Sequence, residues 1–258
     1  MVFKNSLMSQ DDGIAILTIN RPEARNALNA ECWEEIDAFR EYVESSDDTQ
    51  IAIITGSGGK AFAAGADLRF LRARTMVEAL NGLAQRVLQR LEDCGKPFIA
   101  ALNGVAFGGG CELALACDIR IVAENAKMGL PELGLGILPG AGGTQRLAKL
   151  IGLGRAKELL LTGRAVDAQE AVGIGLASKV VPLDSLIEES RLLAQTIMMK
   201  GPLAVRITKK LIAASLSSDE KTGMLLELLG YALVIASEDK AEGVDSFFEK
   251  RVPQFKGR

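Results

Sequence analysis

The chain has 258 residues, 48% of them hydrophobic and 24% charged, with a net charge of −3. This composition describes an ordinary globular protein with one large core, or a core plus an appendage, and argues against bulk binding to nucleic acid or a membrane surface. It contains no histidine, which excludes Ser-His-Asp and Cys-His nucleophilic machinery and any metal site built on imidazole. Cys32, Cys94, Cys111 and Cys117 show no C-x-x-C spacing and read as small buried hydrophobes in a reducing compartment. Acid–base work is left to Asp, Glu, Lys or Tyr.

The opening Met1-Val2-Phe3-Lys4-Asn5-Ser6 lacks a signal-peptide apolar region and Asp11-Asp12 follow closely, so a cytoplasmic protein is expected. Residues 14–20 read as a strand stopped at Arg21-Pro22. Asn29 is placed to cap a helix carrying Trp33, Ile36, Phe39 and Val43. Residues 51–55 form an almost wholly apolar second strand ending in Gly56-Ser57-Gly58-Gly59-Lys60, which lacks the Walker spacing of a phosphate loop. Val77, Leu80, Leu83, Val87 and Leu91 mark one amphipathic helix. Residues 97–102 predict a third strand and 119–122 a fourth, with a glycine turn and a buried helix between them. The apolar run over 98–117 mimics a membrane span, but its glycines and Glu112 disqualify it.

Strands alternating with helices predict an α/β core of largely parallel, buried strands over residues 1–182. From 183 to 258 the pattern turns helical, with breaks at Gly201-Pro202 and Ser217-Ser218. Gly230 interrupts an apolar run in this region, predicting a helix that buries most of its surface against this chain or a partner subunit.

Two glycine-rich blocks each hold one carboxylate. One is Asn103-Gly104-Val105-Ala106-Phe107-Gly108-Gly109-Gly110-Cys111-Glu112-Leu113, and the other runs from Pro131-Glu132 to Gly140-Ala141-Gly142-Gly143-Thr144. Glycines leave backbone N–H groups uncovered and let a substrate approach the chain. Carboxyls in apolar surroundings take raised pKa values, which suits proton transfer. Taken singly, Glu112 also fits a surface acid at a helix N-terminus, Glu132 a turn acid, and the glycine triple a close-packing turn.

These blocks stand in order with Asn20-Arg21-Pro22-Glu23-Ala24-Arg25-Asn26-Ala27-Leu28-Asn29, Ala61-Phe62-Ala63-Ala64-Gly65-Ala66-Asp67-Leu68, Ala116-Cys117-Asp118-Ile119-Arg120 and Gly142-Gly143-Thr144-Gln145-Arg146-Leu147. Together these segments resemble the enoyl-CoA hydratase/isomerase (crotonase) superfamily over nearly the whole chain, with most likeness to an enoyl-CoA hydratase. The resemblance implies a spiral core of stacked ββα turns and a C-terminal helical region used in trimer assembly, giving a homotrimer or a pair of trimers. It implies an acyl-CoA thioester substrate, with coenzyme A part of the substrate and no metal or redox cofactor.

By the same resemblance, the backbone N–H groups of Ala66 and Gly109 form an oxyanion hole, while Glu112 and Glu132 handle the protons of one water molecule. Arg25, Ala64, Ala66, Asp67, Leu68, Arg69 and Gly109 are the implied substrate and CoA contacts. The crowd of Arg69, Arg72, Arg74, Arg86 and Arg90 fits either a solvated helix face or contact with CoA phosphates. Retention of both glutamates favours hydration of a trans-2-enoyl-CoA over isomerisation. The alternatives are a hydratase for branched or dicarboxylic acyl-CoAs (methylglutaconyl-CoA type), an enoyl-CoA isomerase, or a binding protein of the same fold for RNA or acyl-CoA.

Overall fold

The computed structural model describes residues 3–258. It opens with a hairpin of β1 (Ser6–Asp11) and β2 (Ile14–Ile19), joined by Asp12-Gly13, both at positive φ. That Asp-Gly pair suits a tight hairpin turn and brings in a first strand that the periodicity reading omits. α1 (Ala30–Ser45) follows, and the Asn29 side chain caps it by accepting the Cys32 N–H at 2.9 Å. β3 (Ile51–Gly56), β4 (Ala61–Ala63), α2 (Leu68–Ala73), α3 (Met76–Leu80) and α4 (Leu83–Asp93) come next. They lead to β5 (Phe98–Leu102), β6 (Val105–Phe107), α5 (Gly109–Ala116), β7 (Ile119–Ala123) and β8 (Lys127–Gly129). After these come α6 (Gly143–Ile151), α7 (Leu153–Thr162), β9 (Val166–Asp167), α8 (Ala168–Gly173) and β10 (Lys179–Val181). Four helices close the chain: α9 (Leu186–Met198), α10 (Pro202–Ala214), α11 (Glu220–Ile235) and α12 (Glu238–Glu249).

A six-stranded sheet has the order β1-β2-β3-β5-β7-β10, parallel except for the β1–β2 hairpin, and a four-stranded sheet has the order β4-β6-β8-β9. In each of the pairs β3–β4, β5–β6 and β7–β8, the first strand joins the larger sheet and the second the smaller. These are the stacked turns of the ββα spiral. Side chains of the larger sheet alternate between two cores. Leu17, Ile54, Ala100 and Leu102 pack with α1, α4 and α5, including an edge-on pair of Phe39 and Phe98 at 6.2 Å. Ile16, Ile53, Ile99 and Ile121 face the other way, against Leu186 and Ala194 of α9. Burial on both faces explains why these strands read as continuous apolar runs.

One sequence expectation needs correction. The helix expected through Val77, Leu80, Leu83, Val87 and Leu91 is two helices: α3 ends at Leu80, and Gly82, left-handed at φ +58, is the N-cap of α4. Val77 and Leu80 are consequently 73% and 78% exposed, while Val87 and Leu91 are buried. The Thr75–Glu78 capping box fixes α3 as a separate turn, so capping overrides periodicity here. In α11 only Gly230 is buried; Met224, Leu228, Tyr231 and Leu233 are exposed. The chain itself does not cover that helix. Among the described residues, no helix is long and apolar enough to cross a membrane.

The turn between β5 and β6 brings the Gly104 backbone against Lys60, where a Cβ would stand 2.3 Å from the Lys60 carbonyl carbon and oxygen. Backbone cannot rotate away as a side chain can. Gly104→Ala is expected to lose about 3 kcal/mol of stability, read as a fall in the urea midpoint with an unchanged slope.

Candidate active site

The site forms where β4 and β6 run off the smaller sheet. Beyond β4, Leu28 forms an isolated parallel bridge with Ala66: its N–H donates to Gly65 O at 2.8 Å and its carbonyl accepts from Asp67 N at 3.1 Å. Beyond β6, Gly108 adopts φ 50, ψ −125, which a side chain would oppose, and α5 begins at Gly109. The two backbones touch: a Cβ on Gly108 would lie 3.6 Å from Gly65 Cα, and one on Gly110 would lie 2.1 Å from Ala63 O. Ala66 and Gly109, each one residue past this crossing, donate no backbone hydrogen bond among the described residues. Ala66 is exposed and Gly109 half-buried.

Glu112 stands in the first turn of α5, its side chain almost wholly buried. Its Oε1 accepts the Ala141 N–H at 2.7 Å and the Gly143 N–H at 2.8 Å. Both donors come from the second glycine block, where Gly142 at φ +102 turns the chain into α6. Burial raises the Glu112 pKa, and the two N–H donors and the Arg146 cation pull part of that shift back. Glu132 opens a 3₁₀ turn after β8 and is only 9% exposed. Its Oε1 faces Gly108, where a Cβ would approach to 3.1 Å, and its Oε2 is buried with no hydrogen-bond partner. Burial first, then the charge of Glu112, pushes the Glu132 carboxyl up to about 7. Glu132 thus faces the Gly108 crossing, and Glu112 lies near enough for its charge to act on it.

The remaining sequence candidates divide. Ala64 is half-buried and its N–H donates to Arg25 O at 3.1 Å, while the Arg25 side chain is exposed. Asp67 caps α2 through the Arg69 N–H and pairs with Arg21 at 3.3 Å and Arg69 at 3.4 Å, contacts that lower its pKa. Leu68 and Arg69 are exposed. The arginine crowd does not act as one patch: Arg90 pairs with Asp37 of α1 at 2.7 Å and Arg86 bonds Asn81 at 3.0 Å, whereas Arg69, Arg72 and Arg74 lie on and beside α2. All four cysteines are free and buried, and burial pushes the Cys111 and Cys117 thiols up to about 12. Among the described residues, no cluster of Cys, Asp and Glu is arranged to hold a metal.

Two further residues build the site without having been singled out from sequence. Asn26, fully buried at φ 57, donates from Nδ2 to Ala61 O at 2.7 Å and Ser57 O at 3.0 Å, and its Oδ1 accepts the Arg21 N–H at 3.0 Å. It ties the Arg21–Leu28 segment to β4. Trp33 packs beneath Gly109, where a Cβ would come within 3.3 Å of its ring. An asparagine inside a motif of charged and small residues was the available signal for the first.

Residues 9–258 match the enoyl-CoA hydratase/isomerase family. The chain belongs to that family. It is 44% identical over 257 residues to the crotonyl-CoA hydratase of Syntrophomonas wolfei, covering 99% of each chain. It is 40% identical over 261 residues to the short-chain-enoyl-CoA hydratase of Clostridium acetobutylicum, covering both completely. The crystal structure of enoyl-CoA hydratase from Bacillus anthracis superposes with a TM-score of 0.96 at 41% identity, covering 99% of this chain and all of that one.

The raised Glu132 pKa has a measurable consequence for stability. Between its unfolded value near 4.5 and about 7, the folded chain holds a proton that the unfolded chain has released. Stability at this group is therefore greatest below the unfolded pKa and declines as pH rises through the folded one. Relative to Glu132→Gln, the unfolding free energy of the wild type is expected to fall across that window with a slope approaching about 1.4 kcal/mol per pH unit. Denaturant titrations at several pH values would show this, and parallel curves for the two proteins would contradict it.

Proposed function

We propose that the protein is an enoyl-CoA hydratase that adds water reversibly across trans-2-enoyl-CoA to give 3-hydroxyacyl-CoA. The observation that carries this reading is a pair of buried carboxyls, Glu112 and Glu132, close enough to interact by charge, with Glu132 facing a glycine crossing whose Ala66 and Gly109 N–H groups donate to no backbone acceptor among the described residues. Family membership and the hydratase relatives support it.

In this mechanism the thioester carbonyl oxygen accepts from the Ala66 and Gly109 N–H groups, and the α5 N-terminus adds its partial positive charge. Conjugation makes C3 electrophilic. Glu112, its Oε1 held by two donors, uses the carboxylate to take a proton from water as the water oxygen bonds to C3. The C2=C3 π pair shifts toward the carbonyl, where the two N–H groups stabilise the enolate charge. Glu132, with its proton retained by burial, delivers that proton to C2. A hydrogen is gained at C2 and a hydroxyl at C3; the proton left on Glu112 returns the pair to its starting state through Glu132. The two groups share their protons as a pair.

N–H donors and carboxyls carry every step, so this mechanism assigns no metal or redox cofactor, and coenzyme A enters as part of the substrate. Arg25, Ala64, Asp67, Leu68 and Arg69 flank the mouth through which the thioester would enter. The uncovered apolar side chains of α11 support assembly with further copies of the chain, in this reading a homotrimer or pair of trimers in the cytoplasm.

Loss of the enoyl-thioester ultraviolet absorbance tests the chemistry, with crotonyl-CoA as substrate. Wild type is expected to turn over rapidly, and Glu112→Gln and Glu132→Gln each to lose ~10² or more in kcat. Turnover indifferent to both substitutions would show that these carboxyls are not the acid and base. Sedimentation velocity is expected to give a trimer or a multiple of it; a monomer would refute the assignment of α11.

A further inference from the structure

Arg146, on the second turn of α6, lies behind the loop that holds Glu112. Its side chain is 10% exposed, and its NH1 donates to Ala141 O at 2.8 Å. Its Nε and NH2 both reach Oε2 of Glu92 on α4, at 3.2 and 2.9 Å. Ala141 is therefore held on both sides: its carbonyl accepts from Arg146, and its N–H donates to Glu112 Oε1. Space for this grip exists because residue 142 is glycine, since a Cβ there would stand 2.2 Å from Arg146 NH1.

We propose that Arg146 is a positioning residue. Anchored by Glu92, it locks the Ala141–Gly143 turn so that the Ala141 and Gly143 N–H groups stay aimed at Glu112. The guanidinium suits this task because it binds a carbonyl and a carboxylate at once in a fixed plane, which a lysine ammonium cannot reproduce. It also places a cation beside the Glu112 carboxyl and lowers the proton affinity that burial raises. The other groups facing Glu112 act in the opposite sense or are neutral: Glu132 from the 3₁₀ turn couples to it as a like charge, and the Cys111 thiol on α5 keeps its proton. Arg146 also lines a cavity of about 440 Å³ together with Lys149, Arg120, Asp118 and Lys209. Lys209 pairs there with Asp118 at 2.8 Å, and Arg120 is spent on the carbonyls of Leu176, Ala114 and Cys117. Within this set, Arg146 alone reaches the turn that binds Glu112.

The catalytic consequence rests on the proposed hydratase reading; the structural one does not, and the test separates them. The carboxyl of Glu112 is titrated by infrared difference spectroscopy, wild type against Glu112→Gln, and again in the Arg146→Gln, Arg146→Lys and Glu92→Gln backgrounds. Arg146→Gln is expected to move the titration upward, with Arg146→Lys and Glu92→Gln moving it less in the same direction. With crotonyl-CoA, kcat of Arg146→Gln is expected to fall roughly tenfold to a hundredfold while KM stays within about threefold, with partial recovery in Arg146→Lys. A Glu112 titration unmoved in all three backgrounds would overturn the proposal, whatever happens to kcat. Should Arg146→Gln not fold, Glu92→Gln decides alone, because it leaves the arginine in place and removes only its anchor. A wild type that does not turn over crotonyl-CoA sinks the hydratase reading and leaves the infrared titration to decide the role of Arg146.

Discussion

Two backbone N–H groups on one oxygen of a buried carboxyl are the contact on which the rest of this site depends. A charge-assisted hydrogen bond contributes roughly 1.5–3 kcal/mol, whereas an unsatisfied buried carboxylate costs several times that. Glu112 can therefore occupy the apolar first turn of α5 only if the Ala141–Gly143 turn reaches it. That turn begins α6, so the helix must dock against α5. A side chain at residue 143 would crowd the acceptor, because a Cβ there would stand 3.0 Å from Glu112 Oε1. The glycines of the second block are the space in which this contact is made.

The two acids differ because their surroundings differ in kind. Burial raises both, but Glu112 has two N–H donors from a separate loop and a cation to draw its affinity for protons back down, whereas Glu132 has only its own backbone N–H. Glu132 has an unpartnered buried oxygen and a neighbouring acid, so its proton is held to about 7. Under the proposed mechanism this asymmetry sorts their roles: the better-stabilised carboxylate receives a proton and the poorly stabilised one gives one away. Neither residue type nor spacing distinguishes two glutamates in this way.

The helical region serves two physical purposes. α9 covers the second face of the six-stranded sheet, so it is as much a part of the core as the strands it shields. α10 is pinned to the core by Lys209, which reaches Lys96 O and Asp118. α11 instead presents leucines, a methionine and a tyrosine outward, with Gly230 alone buried where Ile207 and Leu211 of α10 press close. A continuous apolar surface of that kind is unusual on a lone soluble chain and marks a surface made to be covered. The apolar run around Gly230 is thus left largely uncovered by packing within the single chain.

What the sequence by itself determined is local and repetitive. Buried strands appear as apolar runs because both faces of β2, β3 and β5 are covered, and the Asn29 cap and the breaks at Gly201-Pro202 and Ser217-Ser218 follow from backbone chemistry that needs no partner. The ordered motifs gave the family and, through it, the residues to inspect; periodicity alone gave neither the spiral nor the site. Periodicity also failed at α3, where a cap and a left-handed glycine outweighed well-spaced apolar residues that had no core to meet. Only the tertiary structure decided that Glu112 is clamped and Glu132 left with a free oxygen. It likewise decided that Arg90 and Arg86 are spent on α1 and Asn81, and that Arg146 braces a turn rather than facing solvent. The contacts of Glu112 with Ala141 and of Arg146 with Glu92 join residues 29 and 54 positions apart, and nothing local in a chain encodes which oxygen its distant N–H groups will reach.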